Sequence, residues 1–115
     1  MPKQSKLVIG SNMDVDFDKE GFLRHLKDWS PEIAVKIAGK DGITLTQDHW
    51  EIINLTREYY GRYKLSPAAR VIVGIIKENM GPDKASSIYL MKLFTGRPAR
   101  MVNKISGLPK PSNCD

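Results

Sequence analysis

Apolar residues recur along this chain at helical spacing in five stretches, and the residues between them mark where each helix starts and stops. Ser30-Pro31-Glu32 reads as an N-cap, a first-turn proline and an acid on the positive end of a helix dipole. Ala34, Ile37 and Ala38 follow on one face, and Gly39 and Gly42 bracket the end. Thr46 is a second N-cap. The helix behind it carries Ile52, Leu55, Tyr59 and Tyr63 at steps of three, four and four, which predicts an inward face, with Glu58 and Arg62 paired on its wet side. Ser66-Pro67 repeats the cap-and-proline device before Ala68 to Met80. That run is apolar nearly all round as far as Ile76, so it is expected to be central and buried. Gly81-Pro82 stops it. Asp83 to Phe94 predicts a fourth helix with Ala85, Ile88, Tyr89 and Leu93 inward, and Gly96-Arg97-Pro98 opens a short last helix to about Ile105, ended by Gly107.

The ends of the chain follow other rules. Leu7-Val8-Ile9, the turn residues Gly10-Ser11-Asn12 and the period-two alternation of Met13 to Phe17 predict a small β-hairpin within residues 1–20. Asp18 to Trp29 is ambiguous: Phe22, Leu23 and Leu26 have helical spacing, but Gly21 weakens the start. From Gly107 to Asp115, Pro109 and Pro111 exclude both helix and sheet ladder. Residues 107–115 are therefore expected to form an extended, mobile arm with few apolar anchors beyond Leu108. The fold class is mainly α (α+β): a helical bundle with an N-terminal hairpin and a projecting C-terminal arm.

Composition narrows this little. The 115 residues, 41% of them hydrophobic, suit a single domain over 1–115. A formal charge of +5 permits nucleic acid or acidic protein partners and selects neither. No apolar run is long enough to span a bilayer, and Met1 to Lys6 lacks the pattern of a secretory signal, so no membrane association and a cytoplasmic location are expected. One cysteine excludes an internal disulfide framework.

Candidate chemistry is sparse. His25 and His49 are far apart and sit in no metal-binding pattern, so neither a metal nor a cofactor is expected. Trp50, Tyr59, Tyr60 and Tyr63 lie at helical spacing and read as core rather than as a base-stacking platform. The helix pairs linked at Ser66-Pro67 and Gly81-Pro82 leave open a helix-turn-helix DNA-binding regulator, although Lys and Arg are dispersed rather than gathered on one helix. The residue that stands out is Cys114, penultimate and carried on the proline-stiffened arm. Gly107, Pro109 and Pro111 give that arm its hinge and its reach, and Arg97, Arg100, Lys104 and Lys110 make the approach basic. At an ordinary thiol pKa of about 8.5, roughly 3% is ionised at pH 7, so nearby cations would favour the nucleophilic anion. No base adjoins Cys114, and Asp115 opposes ionisation. The pattern describes a thiol presented to a partner's active site rather than a self-contained enzyme centre.

Ile105-Ser106-Gly107-Leu108-Pro109-Lys110-Pro111, then two residues and Cys114, resembles the C-terminal signature of the DsrC/TusE family, which comprises sulfur-relay proteins and the gamma subunit associated with dissimilatory sulfite reductase. Gly21-Phe22-Leu23, Asp28-Trp29, Gly42-Ile43, Leu45-Thr46, His49-Trp50, Ser66-Pro67 with Arg70, and Tyr89-Leu90 with Leu93-Phe94 resemble further family landmarks. The resemblance implies an orthogonal helical bundle and a sulfurtransferase-type persulfide carrier on Cys114. Many sulfite-reductase-branch members have a second cysteine, whose position falls on Asn103 here, so the chain is similar to the single-cysteine, TusE-like branch. The implied partners are a TusBCD- or DsrEFH-like sulfur donor and, as acceptor, a tRNA 2-thiouridylase or a sulfite reductase. The alternative within the family is a single-cysteine accessory protein of dissimilatory sulfite reduction or sulfur oxidation. Two departures stand out: Leu93 to Pro98 lacks the usual proline after phenylalanine and a second glycine, and Asp115 replaces a commonly aliphatic residue.

Overall fold

A computed structural model describes residues 15–112. Five helices form in the expected places: α1 (Pro31–Lys40), α2 (Gln47–Tyr63), α3 (Ala69–Met80), α4 (Ser87–Phe94) and α5 (Pro98–Ile105). The fold is thus mainly helical. The hairpin expected over residues 1–20 rests on positions 1–14, which lie outside the described residues. Of its second arm, Phe17 pairs forward with Leu23 in an isolated antiparallel bridge. The Asp18 carboxylate holds the intervening turn, accepting from the Glu20 and Phe22 N–H groups at 2.9 Å each. The ambiguous stretch resolves into this turn, a short 3-10 turn at Leu26–Asp28 and extended backbone.

Local punctuation explains most helix ends. Ser30 caps α1, its hydroxyl accepting from Ile33 N–H at 3.2 Å, with Pro31 in the first turn. Thr46 caps α2 in an unusual box, because the third helical position is His49 and its Nδ1 accepts the Thr46 backbone N–H at 3.0 Å. Two starts differ from expectation. Ser66 does not cap α3; its hydroxyl donates to Pro109 O at 2.6 Å, and α3 begins at Ala69 behind Ala68. The stretch expected to be one helix from Asp83 is a 3-10 turn, Pro82–Lys84, followed by α4, which Ser86 caps through Tyr89 N–H at 3.1 Å.

The inward faces differ more. On α2 the buried residues are His49, Ile52, Ile53 and Thr56, while Leu55 and Tyr59 are half-buried and Tyr63 is exposed. Trp50 and Tyr60 are likewise only half-buried, so the four aromatic residues read as core form its margin instead. On α4, Leu90 and Phe94 point inward and Ile88 is 65% exposed. Nor is α3 the central helix, since only Ile72 and Ile76 are buried. That place belongs to α5, which packs against α1, α2, α3 and α4 and buries Pro98, Ala99, Val102, Asn103 and Ile105. Ala99, completely buried on its inward face, lets neighbours approach closely, and Val102 and Ile105 fill the space between them.

Side-chain ties fix α4 on α2. His49 Nε2–H donates to Leu93 O at 2.8 Å, and its ring meets Phe94 edge-on at 4.9 Å. With both ring nitrogens committed in a buried position, His49→Ala should destabilise the fold by about 2–4 kcal/mol, read as a lowered denaturant midpoint at unchanged slope. Tyr89 Oη donates to Asp48 Oδ2 at 2.7 Å, and Lys84 Nζ lies 3.4 Å from Asp48 Oδ1. The phenol's hydrogen bond, more than the ammonium, holds the Asp48 carboxyl below its usual range. Desolvation first, then the Asp48 bond, pushes Tyr89 up to about 12. A raised pKa means that this bond contributes stability fully below the free phenol's pKa of about 10 and loses it as pH rises through about 12. A phenolate absorbance titration should therefore show a component with a midpoint near 12, which Tyr89→Phe removes.

Candidate functional site: the root of the C-terminal arm

The arm leaves the body from the C-terminus of α5 through a complete Schellman ending. Gly107 N–H donates to Lys104 O at 3.1 Å and Leu108 N–H to Asn103 O at 2.9 Å, so the chain reverses with Gly107 at φ 76°. Glycine is required here twice over. A side chain rarely adopts that φ, and a Cβ would collide with Trp29 Cδ1 and stand 2.8 Å from its Cγ.

Trp29 and Arg57 clamp the same helix end. The Trp29 indole N–H donates to Ile105 O at 2.9 Å, and Arg57 Nη1 donates to Ser106 O at 2.6 Å. The two side chains stack on each other, the guanidinium carbon 3.9 Å from the indole centre. These donors satisfy carbonyls that a helix end leaves free, and the cation sits at the negative end of the α5 dipole. Burial pushes the Arg57 guanidinium down from its ordinary value, though an arginine stays charged at neutral pH. No carboxylate pairs with Arg57 among the described residues; the Trp29 ring face and the Ser106 carbonyl oxygen hold it.

Beyond Gly107 the described part of the arm lies against the body. Leu108 and Pro111 are buried, so Pro111 is an anchor that the sequence did not suggest. Pro109 O accepts from Ser66, and Lys110 Nζ lies 3.3 Å from Glu20 Oε1. Ser112 is the last described residue; Cys114 lies outside them. Of the other basic residues expected along the approach, Arg100 shares Glu20 with Lys110, at 3.7 Å, and faces the Phe22 ring at 5.3 Å. Lys104 pairs with Asp41 at 3.4 Å. Arg97, just before α5, is exposed and pairs with no acid among the described residues. The structure thus gathers Arg100 and Lys110 on one carboxylate and leaves Arg97 and Lys104 apart from them.

Asn103, where the family resemblance places the second cysteine, is completely buried. Its Nδ2 donates to Pro67 O at 2.9 Å and to Ala99 O at 2.8 Å, tying α5 under the α2–α3 connection. Its Oδ1 and the neighbouring Ser106 Oγ have no partner among the described residues. The residue is therefore a brace in this chain. No group of three or more metal-ligating side chains occurs among the described residues. Sequence reasoning missed the Trp29–Arg57 clamp and the part of Glu20. Trp29 was visible only as a landmark residue, and Arg57 carried no signal because its hydrogen-bond partner is a backbone oxygen and its stacking partner lies 28 residues away.

The family model described as DsrC-like protein matches residues 10–114. Sulfurtransferase TusE of Buchnera aphidicola subsp. Schizaphis graminum is 43% identical over 100 residues, 87% of this chain and 88% of the relative. The TusE homolog of Haemophilus influenzae is 41% identical over 104 residues, covering 90% of this chain and 95% of the relative. Among solved structures, the fold is similar to that of DsrC from Allochromatium vinosum, with a TM-score of 0.80 and 42% identity over 88% of this chain and 90% of that one. It is also similar to the oxidized gamma-subunit of dissimilatory sulfite reductase (DsrC) from Archaeoglobus fulgidus, with a TM-score of 0.77 and 35% identity over 88% and 92%.

Proposed function

Since this chain belongs to the family of DsrC-like proteins, we propose that it is a sulfur carrier that accepts persulfide sulfur on Cys114 and hands it to a partner enzyme in tRNA 2-thiouridine synthesis. The observation that carries this reading is the extent of the family match, which runs through the chain's one cysteine, together with relatives named sulfurtransferase. The Cys114 thiolate attacks the outer sulfur of a donor's persulfide. The donor's S–S bond breaks, its thiolate leaves, and Cys114 keeps the transferred sulfur as a persulfide with no net oxidation. A second attack, by an acceptor's thiol, passes the sulfur on. The donor is a TusBCD-like complex and the acceptor a tRNA 2-thiouridylase. A free thiol as working group suits a reducing compartment, and the carrier works in the cytoplasm. An orthogonal arrangement of the bundle and an N-terminal hairpin over residues 1–20 belong to the same proposal.

The proposal gives the basic residues two roles, in keeping with their ion pairs. Arg100 and Lys104, whose side chains are mostly covered, hold the arm's root to Glu20 and Asp41. Arg97 and Lys110 are more exposed and meet the partner. Leu108 and Pro111 are the buried anchors of the described part of the arm. A specific observation favours a second reading: the solved neighbours are described as DsrC and as the gamma subunit of dissimilatory sulfite reductase. In that reading a DsrEFH-like complex is the donor. Loaded carrier, given to a tRNA 2-thiouridylase with ATP and tRNA, should yield thiolated tRNA. No thiolated tRNA, with turnover of a dissimilatory sulfite reductase stimulated instead, would replace the first reading with the second.

A further inference from the structure

A cleft of about 280 Å³ opens between the Phe17–Gly21 turn, the end of α1 and the last turn of α5, away from the arm's own contacts. Its floor is apolar, made by the Phe17 ring and the buried Ile37 side chain. Its walls carry Lys19, Lys36, Lys40 and Lys104. Two aspartates face them: Asp41 is engaged by Lys104 at 3.4 Å, and Asp18 is occupied in part by its own turn. Lys19 and Lys36 form no ion pair among the described residues, and Lys40 lies over the Phe17 ring at 5.8 Å rather than on a carboxylate. Three lysines without an ion pair among the described residues, set round an apolar floor, describe half of a binding site.

The chemistry of the missing half follows from the walls. All four cations are lysines, point charges without the planar fork that grips phosphate in two places. The two aspartates oppose a doubly charged phosphate more strongly than a singly charged carboxylate. The floor has no polar group to read a sugar or a base edge but accepts an aliphatic side chain. We infer that this cleft receives an acidic side chain, presented beside an apolar one, on the surface of the protein that the arm serves. Its position supports this: Asp18 also lines a second cleft, of about 420 Å³, whose opposite wall is Pro109 and Lys110 of the arm. A protein enclosing the arm's tip therefore comes within reach of the lysine cleft. The inference rests on the sulfur-carrier reading only for the identity of that protein.

The test uses the full chain and a small probe, acetyl-leucyl-aspartyl amide, followed by amide chemical shifts. Saturable shifts are expected at Gly21, Ile37 and Asp41, with a Kd on the order of 1–10 mM, weakening as salt is raised. The neutral acetyl-leucyl-asparaginyl amide should leave those signals in place. The double variant Lys36→Gln/Lys40→Gln changes two exposed side chains, so its spectrum should remain that of the folded protein while probe affinity falls at least tenfold. Equal shifts from the neutral probe, or unchanged affinity in the double variant, would overturn the inference. Tighter binding of inorganic phosphate or a short oligouridylate at the same amides would overturn it in favour of a phosphate site. The Cys114→Ser chain should bind the probe like wild type, so a failure of the cleft and a failure of sulfur carriage are separate outcomes.

Discussion

Cys114→Ser should abolish sulfur loading outright and leave the far-ultraviolet dichroism and the melting curve at their wild-type values. The first half follows from chemistry: a hydroxyl is not ionised near neutral pH and does not attack a sulfane sulfur, and the chain holds no second thiol to take over. The second half follows from placement. Among the described residues the buried positions of the arm end at Pro111, three residues before Cys114. An oxygen-for-sulfur exchange there should change stability by no more than about 0.5 kcal/mol. Intact-mass spectrometry after exposure to a persulfide donor reads the outcome directly. Wild type should gain one sulfur atom, and a serine variant that still gained one would place the carrier elsewhere and end the assignment of Cys114.

The residue that this prediction concerns was legible in the sequence, as were the helices that lead up to it. Ser30-Pro31, Thr46, Pro98 and Gly107 are local devices, each acting on backbone groups within a few residues, so they mark boundaries without reference to the fold. Which face of a helix turns inward is not local. Tyr59 and Tyr63 match helical spacing as well as Ile53 and Thr56 do, and only the arrival of α5 decides for the second set. The same holds for α3 and α5. Hydrophobic content pointed to α3 as the centre, but the central place depends on how many helices pack on an element, and α5 meets four others while carrying fewer apolar residues. Ser66 shows a different limit. Its pattern was that of a cap, and a partner far along the chain, Pro109 O, took the hydroxyl instead.

The clamp at the arm's root was illegible for a related reason. Trp29 and Arg57 meet the chain through the carbonyls of Ile105 and Ser106, and a carbonyl leaves no trace in residue identity. Together with the Schellman ending, the clamp sets the direction in which the arm departs. Glu20 adds a weaker tie: its pairs with Arg100 and Lys110 are partly exposed and long, at 3.7 and 3.3 Å, and each contributes at most about 1 kcal/mol. The arm's course over the body is therefore held mainly by Gly107 against Trp29, buried Leu108 and Pro111, and the Ser66–Pro109 bond.

Gly107→Ala tests that arrangement at its tightest point. The left-handed φ of 76° should cost an alanine about 1 kcal/mol, and forcing its Cβ against the indole should add roughly 1–3 kcal/mol of overpacking. The sum, about 2–4 kcal/mol, corresponds in a domain of this size to a fall of roughly 10 °C or more in melting temperature. Trp29→Ala removes the obstacle together with the Ile105 hydrogen bond and the stack on Arg57, and alone should cost about 3–5 kcal/mol. In the double variant the alanine at 107 meets open space, and only its backbone strain should persist. The cycle should therefore show a coupling of about 1–3 kcal/mol between positions 29 and 107. Equal cost of Gly107→Ala in both backgrounds would mean that φ alone, not the indole, demands glycine. Negligible cost in both would mean that the arm does not leave α5 by this turn. Loading of Cys114 by a small persulfide donor should survive in the single Gly107 variant, because the thiol itself is untouched. Delivery to an acceptor protein should slow, because a misdirected root carries the thiol away from the site that receives it.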